Sequence, residues 1–209
     1  MSGRDLLFDG QHDAPTTVVL AHGAGAPMNT PFMNSVARGL AAGGAVRVVR
    51  FEFPYMHARR ETKRRTGAPD REPVLRNSWK EVVERLGGGA GLVIGGKSMG
   101  GRIASLIADE VGARGLVCLG YPFHPPGRPE KLRTKHLETL RTPAIIVQGT
   151  RDPFGTREDV AAYALSPVIR LVWLEDGDHS WKPRASSGRN EAQNMADGIA
   201  AVLQFLAAL

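Results

Sequence analysis

The stretch GLVIGGKSMGG, residues 91–101, decides how the rest of the chain is read. Two templates fit it. Glycine, four residues, glycine, lysine and serine is the spacing of a phosphate-binding loop, met by Gly91, Gly96, Lys97 and Ser98. A working phosphate loop needs its strand before the first glycine and a bare loop between the two, with amides facing the phosphates. Leu92, Val93 and Ile94 occupy that interval and read as a buried strand instead. The second template is glycine-x-serine-x-glycine, met by Gly96-Lys97-Ser98-Met99-Gly100. It sets a serine on a sharp strand-to-helix turn, with its hydroxyl above the sheet edge and glycines on both sides to keep Cβ atoms out of the turn. A buried strand before the serine and an amphipathic segment from Ser98 to Glu110 after it, with Ile103, Leu106 and Ile107 on one face, suit this template and not the first.

Outward from this stretch, short apolar runs alternate with longer segments of helical period. Strands are predicted over Thr17–Ala21, Val46–Phe51, Gly91–Gly95, Gly115–Leu119, Ala144–Gln148 and Ile169–Leu174, with Leu6–Phe8 as a weaker edge strand. Most are near-continuous apolar runs, the mark of strands buried on both faces. Helices fill the intervals. Thr30 with Pro31 opens one that carries Phe32, Val36 and Leu40; Asn77 or Ser78 caps Trp79–Leu86; Thr156 caps Arg157–Leu165; and a last one runs from about Asn190 to the end. The prediction is an α/β protein with one mostly parallel, doubly wound sheet of about seven strands, helices on both faces, and a single domain over residues 1–209.

Composition excludes other classes. The chain has 209 residues, 42% apolar and 23% charged, with 25 glycines and 14 prolines in no periodic register, so collagen-like and disordered chains are out. Its longest apolar run, Val160 to Leu165, is far below the ~18 residues of a membrane span. An amino terminus without an apolar stretch and a single cysteine, Cys118, set the expectation of a cytoplasmic protein. Of the net charge of +6, +4 lies between His57 and Arg76, read as a solvated loop. No aromatic residue interrupts its basic run, which argues against nucleic acid as a partner.

A serine hydroxyl needs a base and a carboxylate to orient that base. Asp152 follows the predicted strand Ala144–Gln148 in GTRDPFG, 54 residues after Ser98, and His179 follows Ile169–Leu174 in EDGDHSW, 27 residues later. Both thus fall at the carboxyl ends of parallel strands, where open α/β sheets bind ligands. Asp152 before Pro153 also suits a plain turn, and His179 a surface site; Asp176 and Asp178 are rival acids, held too close to His179 on one loop to face its ring easily. The turn His22-Gly23-Ala24-Gly25-Ala26 offers small residues where backbone must approach a reacting carbonyl, so the amides of Ala24 and Met99 are the candidate oxyanion donors. Gly25, His124 and Lys97 are candidate substrate contacts, and Cys118 reads as inert core.

The segments VVLAHGAGAPMNTPFM (18–33), GGKSMGGRIAS (95–105), VCLGYPFHPPGRPEKLRTKHL (117–137), VQGTRDPFGTRE (147–158) and LEDGDHSWKPRASSGRN (174–190) together resemble small bacterial α/β-hydrolases. These are related to dienelactone hydrolase and to a testis-expressed protein and a histone-acetyltransferase-complex subunit of animals. The resemblance implies an α/β-hydrolase fold with little or no cap and a Ser98, Asp152, His179 triad. The chain departs from dienelactone hydrolase proper in having serine, not cysteine, at position 98.

The expected function is a serine hydrolase, of carboxylesterase or thioesterase type, acting on a small acyl substrate with no metal and no organic cofactor. Lys97, Lys182, Arg184 and Arg189, close in sequence to two of the triad members, suit ordinary surface residues and also an anionic acyl substrate, whose local concentration they would raise. The alternative is a non-catalytic binding or scaffold protein on the same fold, its basic segment engaging an acidic partner.

Overall fold

The computed structural model describes residues 5–62 and 68–209. Strands β1 (Leu7–Asp9), β2 (Thr16–Ala21), β3 (Val46–Phe51), β4 (Leu92–Lys97), β5 (Gly115–Leu119), β6 (Ala144–Gly149) and β7 (Ile169–Leu174) form one sheet in the order β1-β3-β2-β4-β5-β6-β7. β1 lies antiparallel to β3, and the other pairings are parallel. All residues of β5 and β6 are buried, as their unbroken apolar runs require, whereas the outer strand β7 leaves Arg170 exposed.

Helices cover both faces. Alternate residues of one strand point to opposite sides, so Val18 and Leu20 pack with Met33, Val36 and Leu40 of α1 (Pro31–Ala41) and with Val202, Phe205 and Leu206 of α6 (Glu191–Ala207). Val19 and Ala21 face the other way. They join the cluster that holds Tyr55 and Met56 of α2 (Pro54–Thr62), Trp79 and Val83 of α3 (Glu72–Arg85), Ile103 of α4 (Met99–Ser105) and Val160 of α5 (Arg157–Ala161). Thr30 caps α1 by accepting from Met33 N at 3.3 Å, and capping boxes start α5 (Thr156 with Asp159) and α6 (Asn190 with Gln193). Among the described residues no helix is long and apolar enough to cross a membrane.

Several elements differ from the sequence reading. α3 begins at Glu72, because Pro73 suits the first helical turn and Arg71 is extended before it; Ser78 lies inside the helix and donates to Val74 O at 2.8 Å instead of capping. α4 stops at Ser105 and not Glu110, where Leu106 N turns to the carbonyls of both Arg102 and Ile103. α5 ends at Ala161 and not Leu165, its next amides bonding only three residues back. The basic segment is no simple loop. Buried Tyr55 and Met56 anchor it as α2, Arg60 pairs with Asp5 and Glu52, Arg59 lies over the Tyr55 ring, and Arg76 pairs with Glu72 and donates to Leu106 O. Lys63, Arg64 and Arg65 of that segment lie outside the described residues.

The turn after β4 has no room for side chains at its glycines. A Cβ on Gly96 would stand 2.2 Å from the Ala21 carbonyl oxygen, and one on Gly100 2.4 Å from the same atom; Gly96 also has φ +151°. Ala21 is backbone of the central strand β2 and cannot retreat. Gly96→Ala is therefore expected to destabilise the protein by at least about 2–3 kcal/mol, read as a lowered urea midpoint. An unchanged midpoint would show that the turn can open without disturbing β2.

Candidate active site

Ser98 sits between the last residue of β4 and the first of α4 with φ +51° and ψ −116°. A non-glycine residue in that region costs about 1–3 kcal/mol and persists only where its surroundings hold it. Here the restraint is the sheet: β4 pairs with β2 and β5, and Ser98 N donates to Leu119 O at 3.1 Å. The four residues after Gly91 are strand, so the phosphate-loop template is not realised.

The turn after β6 carries Asp152, whose side chain is completely buried. Its Oδ2 accepts from His179 Nδ1 at 2.7 Å and Gln148 Nε2 at 2.9 Å, and its Oδ1 from Phe154 N at 2.9 Å. Gln148 is itself pinned, since its Oε1 accepts from Tyr121 N at 2.7 Å. Three donors leave the carboxylate satisfied although it is out of water. The loop after β7 brings His179 over β6 because Gly149 has no side chain: a Cβ there would stand 2.3 Å from Gly177 O. The Phe154 ring covers the imidazole, centroids 4.3 Å apart and planes inclined by 34°. Burial holds the His179 imidazole below the usual histidine range, the Asp152 hydrogen bond opposes this, and the Lys97 ammonium adds to the lowering. With Nδ1 engaged by Asp152, Nε2 is the nitrogen left to face a nucleophile. No described hydrogen bond joins Ser98 Oγ to the ring.

The rival acids are used elsewhere. The Asp176 carboxylate accepts from Arg184 N at 2.6 Å and Arg184 Nη2 at 2.5 Å and pairs with Arg151 at 2.9 Å, and the Arg184 bond leads in drawing its pKa down to about 2. Asp178 Oδ1 accepts from Ser180 N and Lys182 N, closing the tight turn that carries His179.

On the other side of Ser98, the turn after β2 is built by His22 and Tyr55. His22 is fully buried, its Nδ1 2.7 Å from Gly23 O and its Nε2 accepting from Phe53 N at 3.1 Å. Burial drops its pKa to about 4, so the ring is neutral and serves as a spacer between two backbone segments. The Tyr55 hydroxyl donates to Ala24 O at 2.8 Å. Among the described hydrogen bonds, the amide of Ala24 makes none, and Met99, first in α4, has no intrahelical partner for its own. A Cβ on Gly23 would lie 3.6 Å from Ser98 Cβ, which places this turn against the serine. Gly25 is exposed and has open space around its Cα.

Three expected substrate-side features change in the structure. Lys97 donates to the His179 carbonyl and lies 5.3 Å from the Phe32 ring centre, so its ammonium is taken up within the fold. His124 is buried, its Nδ1 2.9 Å from Pro125 O and its Nε2 3.6 Å from Asp159 of α5, beyond hydrogen-bond distance. Arg184 and Arg189 are paired with Asp176 and Asp197, so the cation cluster near the histidine is largely neutralised at close range. Gln148, Phe154, His22 and Tyr55 also shape the site, and the sequence alone does not mark them. Gln148 and Phe154 flank Asp152 in VQGTRDPFG, but an amide and a ring carry no signal of their own. A groove of about 490 Å³ between α1 and α6, lined by Ser35, Glu191, Ala192, Met195, Ala196 and Ile199, shares no residue with this site. Among the described residues no three His, Cys, Asp or Glu side chains cluster as metal ligands would.

The profile of a family described as "Alpha/beta hydrolase domain" matches residues 14–207. Solved structures with the same fold include an alpha-beta serine hydrolase homologue from Coxiella burnetii, 18% identical, with a TM-score of 0.71 over 96% of this chain and 90% of that one. A dienelactone hydrolase from Anabaena variabilis is 18% identical, with a TM-score of 0.72 over 97% and 90%. A serine hydrolase without lid from Xanthomonas campestris is 18% identical, with a TM-score of 0.68 over 98% and 88%.

Proposed function

We propose that this chain, which belongs to the alpha/beta hydrolase domain family, is a serine hydrolase that cleaves a small carboxylic ester or thioester through an acyl-enzyme. Ser98 attacks the acyl carbon. His179 Nε2 takes the hydroxyl proton and returns it to the leaving group as the tetrahedral intermediate collapses, and water then releases the acid by the same steps in reverse order. Asp152 holds the imidazole with its proton on Nδ1 and stabilises the imidazolium formed in transit. The amides of Met99 and Ala24 are the donors to the oxyanion. Each proton in this scheme is handled by a side chain or by water, and no step calls for a metal or an organic cofactor.

The observation that supports this reading most is the 2.7 Å contact between His179 Nδ1 and an Asp152 carboxylate wholly out of water, at the sheet edge that carries a backbone-strained serine. A plain turn aspartate has no reason to be buried on an imidazole. The test is labelling by a fluorophosphonate, followed by a panel of p-nitrophenyl esters and acyl thioesters of increasing chain length. Stoichiometric labelling with turnover of at least one class is expected. A folded protein that neither labels nor turns over any of them would sink the reading and favour a scaffold role.

A further inference from the structure

Lys97, the last residue of β4 and the neighbour of Ser98, sits where a long charged side chain would ordinarily reach for solvent. It runs along the sheet edge instead. Its Cγ lies 3.6 Å from the position of a Cβ on Gly23, and its Nζ crosses the end of β5. There, a Cβ on Gly120 would stand 2.8 Å from Nζ, 2.9 Å from His179 O and 3.4 Å from His179 Cε1. Gly120, with φ +68°, thus leaves the gap through which the ammonium donates to the His179 carbonyl. The Phe32 ring, 5.3 Å away, offers the cation a π face. Those distances place Nζ within about 6 Å of the imidazole edge.

The charges that face His179 come from three elements: Asp152 from the turn after β6, Asp178 from its own loop, and Lys97 from β4. The two carboxylates favour the imidazolium, which cannot accept a proton from a serine. The ammonium and burial oppose them. Burial holds Lys97 itself down to about 8, with Asp152 and Asp178 acting to keep it charged, so it still carries its proton at neutral pH.

We propose that Lys97 is a positioning residue for the base, its ammonium tying down the His179 carbonyl and its charge keeping the imidazole in the proton-accepting form beside two carboxylates. The proposal rests on the reading of His179 as the base. It gives the lysine within the glycine-x-serine-x-glycine turn a task distinct from touching substrate.

The test is an NMR titration of the His179 Cε1–H in the wild-type protein, Lys97→Met and Lys97→Gln, with the acid limb of kcat/KM measured alongside. Both variants should raise the His179 midpoint by between about 0.5 and 2 in pH, the span between watery and protein-like dielectrics at this separation. The acid limb should move with it. Gln keeps a donor for the carbonyl, so Lys97→Gln should recover more of the high-pH kcat than Lys97→Met. An unmoved midpoint in both variants overturns the proposal, including the case in which kcat falls equally at every pH, since that is loop loosening alone. Should neither variant fold, the wild-type lysine side chains decide: one must titrate with a matching second inflection at His179 Cε1, and a His179 Cε1 that follows no lysine titration overturns the proposal. The NMR titration uses no substrate. A shifted midpoint in a chain without esterase activity leaves Lys97's hold on the His179 imidazole standing while the hydrolase reading, and with it the task of His179 as a base, falls; an active enzyme with an unmoved midpoint does the reverse.

Discussion

Replacing Ser98 with alanine is expected to abolish fluorophosphonate labelling and to lower turnover by about 10⁴–10⁶-fold, because nucleophile and base act as a unit and neither replaces the other. What remains should come from amides and binding contacts that still favour the transition state. Stability should not fall with activity. Ser98 is half-buried, its hydroxyl makes no described hydrogen bond, and its structural ties run through its backbone, from Ser98 N to Leu119 O and from Arg102 N to Ser98 O. The alanine variant must still occupy φ +51°, as serine does, so the strain is carried over and not created. Labelling by mass spectrometry, steady-state rates and a urea midpoint together check this. Wild-type turnover in Ser98→Ala would remove the nucleophile from the scheme.

Asp152→Asn should cost about 10⁴-fold in kcat with little change in shape. The buried carboxylate accepts from His179 Nδ1, Gln148 Nε2 and Phe154 N, all donors. An asparagine in its place has one acceptor oxygen and one NH₂ group, so at least one former donor must now meet a donor, and two must where the NH₂ takes the place of Oδ2. The histidine can yield by moving its proton from Nδ1 to Nε2, and Nε2 is the atom that must take the serine proton. The loss should therefore appear in kcat far more than in KM. Asp178→Asn should be mild, since an amide oxygen can still accept from Ser180 N and Lys182 N. Asp176→Asn should show in stability before it shows in rate, because it weakens ties to Arg184 and Arg151 that fix the loop. That contribution is fully present above the unfolded carboxylate range and is lost as pH falls from there toward about 2, where the folded Asp176 protonates. A series in which Asp178→Asn is the most damaging change would move the acid onto the histidine's own loop.

Local signals in the chain determined the frame. Gly115–Leu119 was legible with its observed bounds because a strand buried on both faces must be apolar throughout, and Val46–Phe51 and Ile169–Leu174 because short runs rich in branched and aromatic residues, broken only by arginines, stand between turn signals. Thr30-Pro31 and Asn190 were legible as helix starts because capping chemistry is written within four residues. That Ser98, Asp152 and His179 share one sheet edge was legible for a related reason: each follows a strand, and parallel strands collect their carboxyl ends on one edge. Partners were not legible. The link from Lys97 to His179 spans 82 residues, and that from Tyr55 to Ala24 spans 31. The pairing that takes Asp176 away from the histidine and the ion pairs that neutralise Arg184 and Arg189 depend on how the loop after β7 closes on β6 and α6. Only the tertiary structure decided these, because a side chain's neighbour is set by strand order and loop closure. Composition and periodicity report each segment's own burial and conformation, and carry no information on which distant charge comes to rest beside it.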